Sequence, residues 1–222
     1  MVTFECDTGI VNGFLARPRD PSRHPAIIAI HEWWGLTPWV KSQAINLAWN
    51  GYVVLAVDLY HGKVTSIAAQ ARKLKRAVSP DLAIGEMKAA FDYLACRADV
   101  DPKHIGSLGW SLGGGFALQL AIHEPRLAAC VVNYGALPTK RADIEKLDAP
   151  MLGIFGALDR GVPRNKVRAF EKRMNAAKKL VEITIYDGAG HAFENPANLR
   201  AYRPKAAADA WLRTLTFLAQ SL

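Results

Sequence analysis

Apolar residues in this chain fall into two patterns: short continuous runs, and longer stretches with an apolar residue at about every third or fourth position. The short runs are typical of buried strands, and the longer stretches of helices that bury one face. The short runs predict strands at Val2–Cys6, Val11–Arg17, Ala26–Ile30, Tyr52–Val57, His104–Leu108, Ala128–Asn133, Met151–Phe155 and Val181–Tyr186. The longer stretches predict helices at Trp39–Trp49, Ser66–Val78, Leu82–Cys96, Leu112–Ile122, Pro163–Ala176 and Leu199–Gln220. This alternation predicts an α/β fold, with a mostly parallel central sheet of about eight strands and helices on both faces.

The connections between these elements refine the topology. The first two strands have no helix between them, and Thr8-Gly9 and Asn12-Gly13 are turn signals, so we expect an antiparallel edge there. Residues 134–150 are too few for a large lid domain, so short loops should form the mouth of any site. No internal repeat, low-complexity segment or interdomain linker is visible, and residues 1–222 are expected to form one domain.

A five-residue motif carries the first chemical signal. Gly109-Trp110-Ser111-Leu112-Gly113 follows an apolar run and precedes a helix-like stretch. This is the G-x-S-x-G nucleophile elbow in its strand–turn–helix setting, and it predicts an α/β-hydrolase fold. Glycines two positions before and after the serine allow the strained turn that holds the hydroxyl out above the sheet.

A serine nucleophile needs a base to take its proton, and the base needs a carboxylate to orient it. In this fold the acid and the base follow the serine in that order, each after a later strand. Asp159 lies in the turn after the seventh predicted strand, and His191 lies in the loop after the eighth. We therefore predict Ser111 as nucleophile, Asp159 as orienting acid and His191 as general base.

Four other residues at strand ends remain alternatives for these two roles. Asp187 also follows the eighth predicted strand, and Asp58 follows the fourth, so either is an alternative acid. His31 and His61 also lie at strand ends and are alternative bases.

The loop after the third predicted strand, His31-Glu32-Trp33-Trp34, is the second chemical signal. An oxyanion hole needs two backbone N–H groups, which we expect from Leu112, the residue after the nucleophile, and from Trp33. Glu32, beside two tryptophans at a strand end, is either part of the site or a solvated loop residue. The tryptophans either line a pocket or cover the top of the sheet. His31 and Glu32 lack an HExxH context and a third ligand, so no metal site is predicted.

The formal net charge is +8, concentrated partly in Arg72–Arg76 and Lys172–Lys179. Solvated helix faces explain these clusters, and a basic field that favours an anionic substrate is the alternative. Nucleic-acid binding is not expected, because there is no recognition motif or aromatic platform.

Three scattered cysteines, an odd number without a CxxC pair, suggest reduced thiols in a cytoplasmic protein. No apolar stretch is long enough to span a membrane, and the first residues do not resemble a signal peptide, so no membrane partner is expected.

The chain resembles the dienelactone hydrolase (carboxymethylenebutenolidase) family of α/β-hydrolases over nearly its whole length. The elbow alone indicates only an α/β-hydrolase, whereas the elbow together with the Glu-bearing loop is more specific for this family. The matching segments are His31-Glu32-Trp33-Trp34-Gly35-Leu36, Asp58-Leu59-Tyr60, Gly109-Trp110-Ser111-Leu112-Gly113-Gly114, Gly156-Ala157-Leu158-Asp159, Gly188-Ala189-Gly190-His191-Ala192-Phe193 and the tail from Tyr202 to Leu215.

This resemblance implies hydrolysis of an unsaturated lactone or small ester, without a cofactor. By position, Ser111, Asp159 and His191 match the triad, and Leu112 and Trp33 match the oxyanion-hole amides. Glu32 matches a glutamate that contacts the resting nucleophile. Trp34, Tyr60 and Phe193 are expected to line the substrate pocket.

Two positions depart from the family pattern. Most members have a cysteine nucleophile, and a serine here transfers the whole task of activation to His191, because serine does not ionise near neutral pH. Either Ser111 is natural or it replaces a cysteine. Dienelactone-specific members have an arginine four residues after the catalytic histidine, where this chain has Asn195. A small ester or lactone is therefore better supported than dienelactone itself.

Two further functional hypotheses stay open at this level. The same site could act on a thioester or a polymer-linked acetyl group, or the chain could be a non-catalytic small-molecule-binding homologue. A monomer and a homodimer are both compatible with the sequence.

Overall fold

A single eight-stranded sheet organises the chain. The computed structural model describes residues 1–7 and 9–222, and Thr8, part of one predicted turn signal, lies outside them. The strands follow the order β1-β2-β4-β3-β5-β6-β7-β8 across the sheet. Their bounds are β1 Val2–Cys6, β2 Gly9–Ala16, β3 His24–Ile30, β4 Val53–Val57, β5 Val100–Trp110, β6 Ala129–Asn133, β7 Met151–Gly156 and β8 Val181–Tyr186.

Strand pairing confirms the predicted mostly parallel sheet and its antiparallel edge. β1 pairs with β2, and β2 with β4, in antiparallel register. From β4 through β3, β5, β6 and β7 to β8, every pairing is parallel. Because parallel strands place their carboxyl ends at one edge, the loops after β3, β5, β6, β7 and β8 can converge there.

Helices cover both faces of the sheet. Their bounds are α1 Pro38–Trp49, α2 Ala68–Ala77, α3 Pro80–Ala95, α4 Leu112–His123, α5 Arg141–Glu145, α6 Arg164–Ala176 and α7 Pro204–Ser221. Ile28 and Ile30 of β3 join the core under α3, α4 and α6, while Ile27 and Ala29 join the core under α1 and α7. This alternation follows the two-residue period of a strand. It explains why β4 and β6 are apolar almost throughout, since every residue of both strands is buried.

The sequence prediction fails mainly at element ends. β5 begins at Val100 rather than His104, and the last helix begins at Pro204 rather than Leu199. Proline is favoured in the first turn of a helix and disfavours helical backbone in the residue before it, so α7 cannot extend further back. The short helix α5 was not predicted, and it is the only helix in the segment 134–150.

Within the residues that the structure describes, no helix combines the length and the apolar character needed to cross a membrane.

Candidate active site

The elbow between β5 and α4 is held by close backbone packing. Ser111 lies between them with φ 55° and ψ −111°, a conformation that is strained for a residue with a side chain. A Cβ atom on Gly109 would overlap the carbonyl oxygen of Gly113, and one on Gly113 would overlap the carbonyl oxygen of Ile30. The Ser111 N–H donates to the Asn133 carbonyl at 2.9 Å, which ties the turn to β6.

The three predicted triad residues form one hydrogen-bonded chain. His191 Nε2 lies 2.7 Å from Ser111 Oγ, and His191 Nδ1 lies 2.6 Å from Asp159 Oδ2. An ionised carboxylate can only accept, so Nδ1 carries the proton and Nε2 is left to accept from the serine hydroxyl. This arrangement can remove a proton from Ser111 as the hydroxyl attacks.

Asp159 is stabilised as an anion. Its side chain is buried, and Oδ1 accepts hydrogen bonds from the N–H groups of Gly161 at 2.7 Å and Val162 at 3.1 Å. Burial alone would raise the pKa of Asp159, but the hydrogen bond and charge of His191 and the two backbone donors outweigh it and hold the pKa below its ordinary value. The group orienting His191 therefore stays charged at neutral pH.

The four alternative residues have other partners. Asp187 is exposed and pairs with Arg164, while Asp58 accepts from the backbone N–H groups of residues 60 and 62. His61 lies 3.3 Å from a glutamate of α3, and His31 Nδ1 lies 2.6 Å from the Glu32 carbonyl oxygen. Among the described residues, the Ser111 hydroxyl has only His191 as a hydrogen-bond partner.

The two predicted oxyanion-hole amides are not taken up by the local backbone. Leu112 is the first residue of α4, and Trp33 lies in the turn after β3. Within the described part of the chain, neither N–H donates to a backbone carbonyl outside the regular elements. Both are therefore available to a ligand oxygen, and the Leu112 amide also belongs to the positive end of the α4 dipole.

Glu32 lies in the same region, but its hydrogen bond differs from the expected contact with Ser111. Its Oε2 accepts from the Asn195 side-chain amide at 2.7 Å. Burial raises the pKa of Glu32 to about 7, against the opposing effects of this hydrogen bond and of the His191 charge. Asn195 supplies a neutral donor, so this hydrogen bond brings no positive charge to hold Glu32 fully ionised.

The three predicted pocket residues lie in different surroundings. Trp34 is half-buried, with its ring centroid 4.7 Å from that of Trp33. The Tyr60 ring packs edge-on against His31, and its hydroxyl is buried. Phe193 has no exposed surface and packs among core aromatic rings, so it stabilises the loop rather than offering a surface to a ligand.

Sequence reasoning missed two residues beside the triad. Tyr134, directly after β6, has its ring centroid 5.3 Å from the His191 ring, and its hydroxyl is buried without a hydrogen-bond partner among the described residues. Glu194, three residues after His191, is half-buried; its Oε1 atom is buried, and Oε2 accepts from the Trp110 indole N–H at 3.3 Å. The available signal was position, because both residues follow strands that end at the same edge.

The chain is similar to known proteins over nearly its whole length. A model of the "Dienelactone hydrolase family" matches residues 11–222. A Bradyrhizobium protein named "Probable 2-oxo-3-(5-oxofuran-2-ylidene)propanoate lactonase" is 34% identical, over 92% of this chain and 87% of its own. A "Putative carboxymethylenebutenolidase" of Saccharolobus solfataricus is 31% identical, over 98% of this chain and 96% of its own. The crystal structure of a "Putative Dienelactone Hydrolase" from Klebsiella pneumoniae matches with a TM-score of 0.91 and 25% identity, over 99% of this chain and 97% of that one.

Proposed function

Because this chain belongs to the dienelactone hydrolase family of carboxylic ester hydrolases, we propose that it cleaves small esters or lactones through an acyl-enzyme on Ser111. The observation that carries this proposal is the hydrogen-bonded chain from Ser111 through His191 to Asp159, at 2.7 Å and 2.6 Å. These are normal hydrogen-bond lengths for a nucleophile, its base and the group that orients the base.

In the first half of the reaction, His191 Nε2 takes the Ser111 proton as Oγ forms a bond to the carbonyl carbon of the substrate. The carbonyl π electrons move to oxygen, and the resulting oxyanion accepts hydrogen bonds from the N–H groups of Leu112 and Trp33. Collapse breaks the bond to the leaving alkoxide, which takes the proton from His191. In a lactone this alcohol stays attached to the acyl group.

In the second half, His191 removes a proton from water, which attacks the acyl carbon. The second oxyanion collapses, Ser111 Oγ leaves with the proton held by His191, and the carboxylic acid is released. The imidazolium that forms in each half lies between the anionic Asp159 and the serine, so its charge is compensated.

The surroundings favour a small substrate. Each connection after a strand at this edge is 17 residues or shorter, and α5 is the only helix within residues 134–150. The lactonase-named relative suggests a lactone with an attached carboxylate, and the net charge of +8 favours an anionic substrate. Asn195 offers a neutral amide in place of a guanidinium, so Asn195 is not the residue that we expect to bind the carboxylate of the substrate.

The proposal is tested with a chromogenic short-chain ester. We expect Ser111→Ala and His191→Ala each to lower kcat by at least about 10³-fold, because either change breaks the activated nucleophile. His61→Ala is the matched control, since His61 also follows a strand but pairs with α3, and it should keep nearly full activity. Unchanged turnover in both active-site variants, with the folded state verified by circular dichroism, would refute the assignment.

A further inference from the structure

The carboxyl group of Glu194 is buried beside the active site and has no part in the reaction described above. Its Oε2 accepts one hydrogen bond, from the Trp110 indole N–H, and its Oε1 is buried with no partner among the described residues. A buried acceptor without a partner is unfavourable, and more so when it bears a charge. The surroundings therefore favour a neutral carboxyl group.

The groups around Glu194 supply no positive charge to offset an ionised carboxylate. On the inner side it interacts with the carboxyl group of Glu32 and with the buried hydroxyl of Tyr134. On the outer side, a groove between α1 and α7 contributes aromatic, amide and small apolar side chains, and Glu194 is the only charged residue in its lining. The further titratable residue there is Tyr202. Among the described residues, neither Glu32 nor Glu194 takes part in an ion pair, and the group whose positive charge acts on Glu32 is His191.

We propose that Glu194 is a positioning residue that holds a proton at neutral pH, so that Glu32 can carry the negative charge that stabilises the His191 imidazolium during the reaction. The catalytic part of this inference rests on the proposed function, whereas the protonation of Glu194 does not depend on it.

The two carboxyl groups differ in how well they can bear a charge. Glu32 accepts a hydrogen bond of 2.7 Å from Asn195 and is stabilised by His191, while Glu194 has only the 3.3 Å bond from Trp110. Two carboxylates in one desolvated region resist ionising together, so one of them retains a proton. The better-stabilised group ionises first, which leaves the proton on Glu194.

The acidities agree with this order. Burial raises the pKa of Glu194 to about 8, where the Trp110 hydrogen bond opposes the shift and the Glu32 charge adds to it. Burial raises the pKa of Glu32 only to about 7. Near neutral pH, Glu32 is therefore partly ionised while Glu194 remains an acid. Ionisation of Glu194 would make the Glu32 charge harder to maintain, because like charges repel.

Protonation is measured directly by infrared difference spectroscopy over about pH 6 to 9. In the unaltered protein we expect two carboxylic-acid C=O components, one from Glu32 that disappears as the pH passes about 7 and one from Glu194 that disappears as the pH passes about 8. Glu194→Gln should abolish the component that titrates at the higher pH, while Glu182→Gln, a change at an exposed glutamate of β8, should leave both components unchanged. A spectrum without the higher-pH component, or a higher-pH component that survives in Glu194→Gln, overturns the protonation.

A variant of the partner keeps the test decisive if Glu194→Gln does not fold. In Glu32→Gln the repelling charge is absent, so the Glu194 component should persist but disappear at lower pH than in the unaltered protein. If Glu32→Gln shows no titrating acid component, the proton resides on Glu32 and the proposal is wrong.

Activity profiles test the catalytic part separately. A glutamine at position 194 resembles the protonated acid, so Glu194→Gln should keep kcat/KM within about twofold at pH 6.5 and lose the inflection above about pH 8. Glu32→Gln removes the charge near His191, so the acid limb of kcat/KM should move to lower pH by about one unit. If the Glu194 component titrates as expected but both profiles superimpose on that of the unaltered protein, the carboxyl pair has no part in catalysis. If the proposed function is wrong, the unaltered protein instead shows no turnover of the ester.

Discussion

Two carboxyl groups in the loops around the candidate site, those of Asp159 and Glu194, have surroundings that give them opposite acid–base behaviour. Asp159 receives hydrogen bonds from two backbone N–H groups and from the imidazole, and its pKa lies below the ordinary value. Glu194 receives one hydrogen bond, faces a second carboxyl group, and has a pKa raised to about 8. Burial is the largest influence on both groups, so burial alone does not decide whether a carboxyl group is charged. The number of hydrogen-bond donors that face the carboxyl group decides whether it is charged.

The contrast assigns separate tasks to the two sides of the imidazole. Asp159 gives a fixed negative charge that holds one tautomer of His191 in place. The Glu32 and Glu194 pair gives a charge that changes near neutral pH. Asp159 thus orients His191, and the Glu32 and Glu194 pair sets a second negative charge near it.

The largest expected effect comes from removing the fixed charge. Asp159→Asn keeps the size of the side chain but no longer requires a proton on His191 Nδ1, so we expect kcat for a small ester to fall by about 10³–10⁴-fold. Asp187→Asn is the matched control because Asp187 is an exposed aspartate after the neighbouring strand, and it should stay within about twofold of full activity. An Asp159→Asn protein that retains most of its turnover would show that the acid role belongs to another group.

The next effect is on the pH dependence of stability, where the two carboxyl groups act in opposite directions. The folded-state pKa of Glu194 is raised from 4.5 to about 8, so the folded protein binds more protons than the unfolded chain between these values. The free energy of unfolding should therefore decrease as pH rises through this range. Asp159 behaves oppositely: its lowered pKa gives stability that is present above pH 3.8 and is lost as pH falls below it.

Urea unfolding at a series of pH values measures this dependence. Between about pH 5 and 8, Glu194→Gln should remove a decrease on the order of 2–4 kcal/mol, since one pKa unit corresponds to about 1.4 kcal/mol. Glu182→Gln should preserve the decrease, because that side chain is exposed. Parallel curves for the unaltered protein and Glu194→Gln would mean that Glu194 titrates alike in the folded and unfolded states.

The smallest effect tests the single donor to Glu194. The hydrogen bond from the Trp110 indole N–H lowers the pKa of Glu194, and Trp110→Phe removes it. The infrared acid component of Glu194 should therefore titrate at a pH higher by less than about one unit. Trp39→Phe is the control, because the Trp39 ring packs 5.2 Å from that of Trp110, whereas the indole N–H bonded to Glu194 belongs to Trp110. A shift of equal size in both variants would assign the effect to ring packing.

The predictable parts of this protein are those written in consecutive residues. The elbow from Gly109 to Gly113, the strand interiors and the antiparallel edge follow from local pattern and turn chemistry. Element ends were less accurate, as α7 shows: residues 199–203 have a helix-compatible pattern, but Pro204 sets the first turn. One expected pocket residue, Phe193, instead lies in the core.

By itself, the order of residues determined the parallel sheet, the strained turn at Ser111 and the expectation that an acid and a histidine would follow later strands. Each of these depends on backbone geometry or on neighbours along the chain. Only the tertiary structure decided that Glu32 meets Asn195 rather than Ser111, and that Glu194 turns inward to Trp110. Such pairings join residues 84 and 163 positions apart, and the charge that each group carries depends on desolvation and on donors that are brought together only when the chain folds.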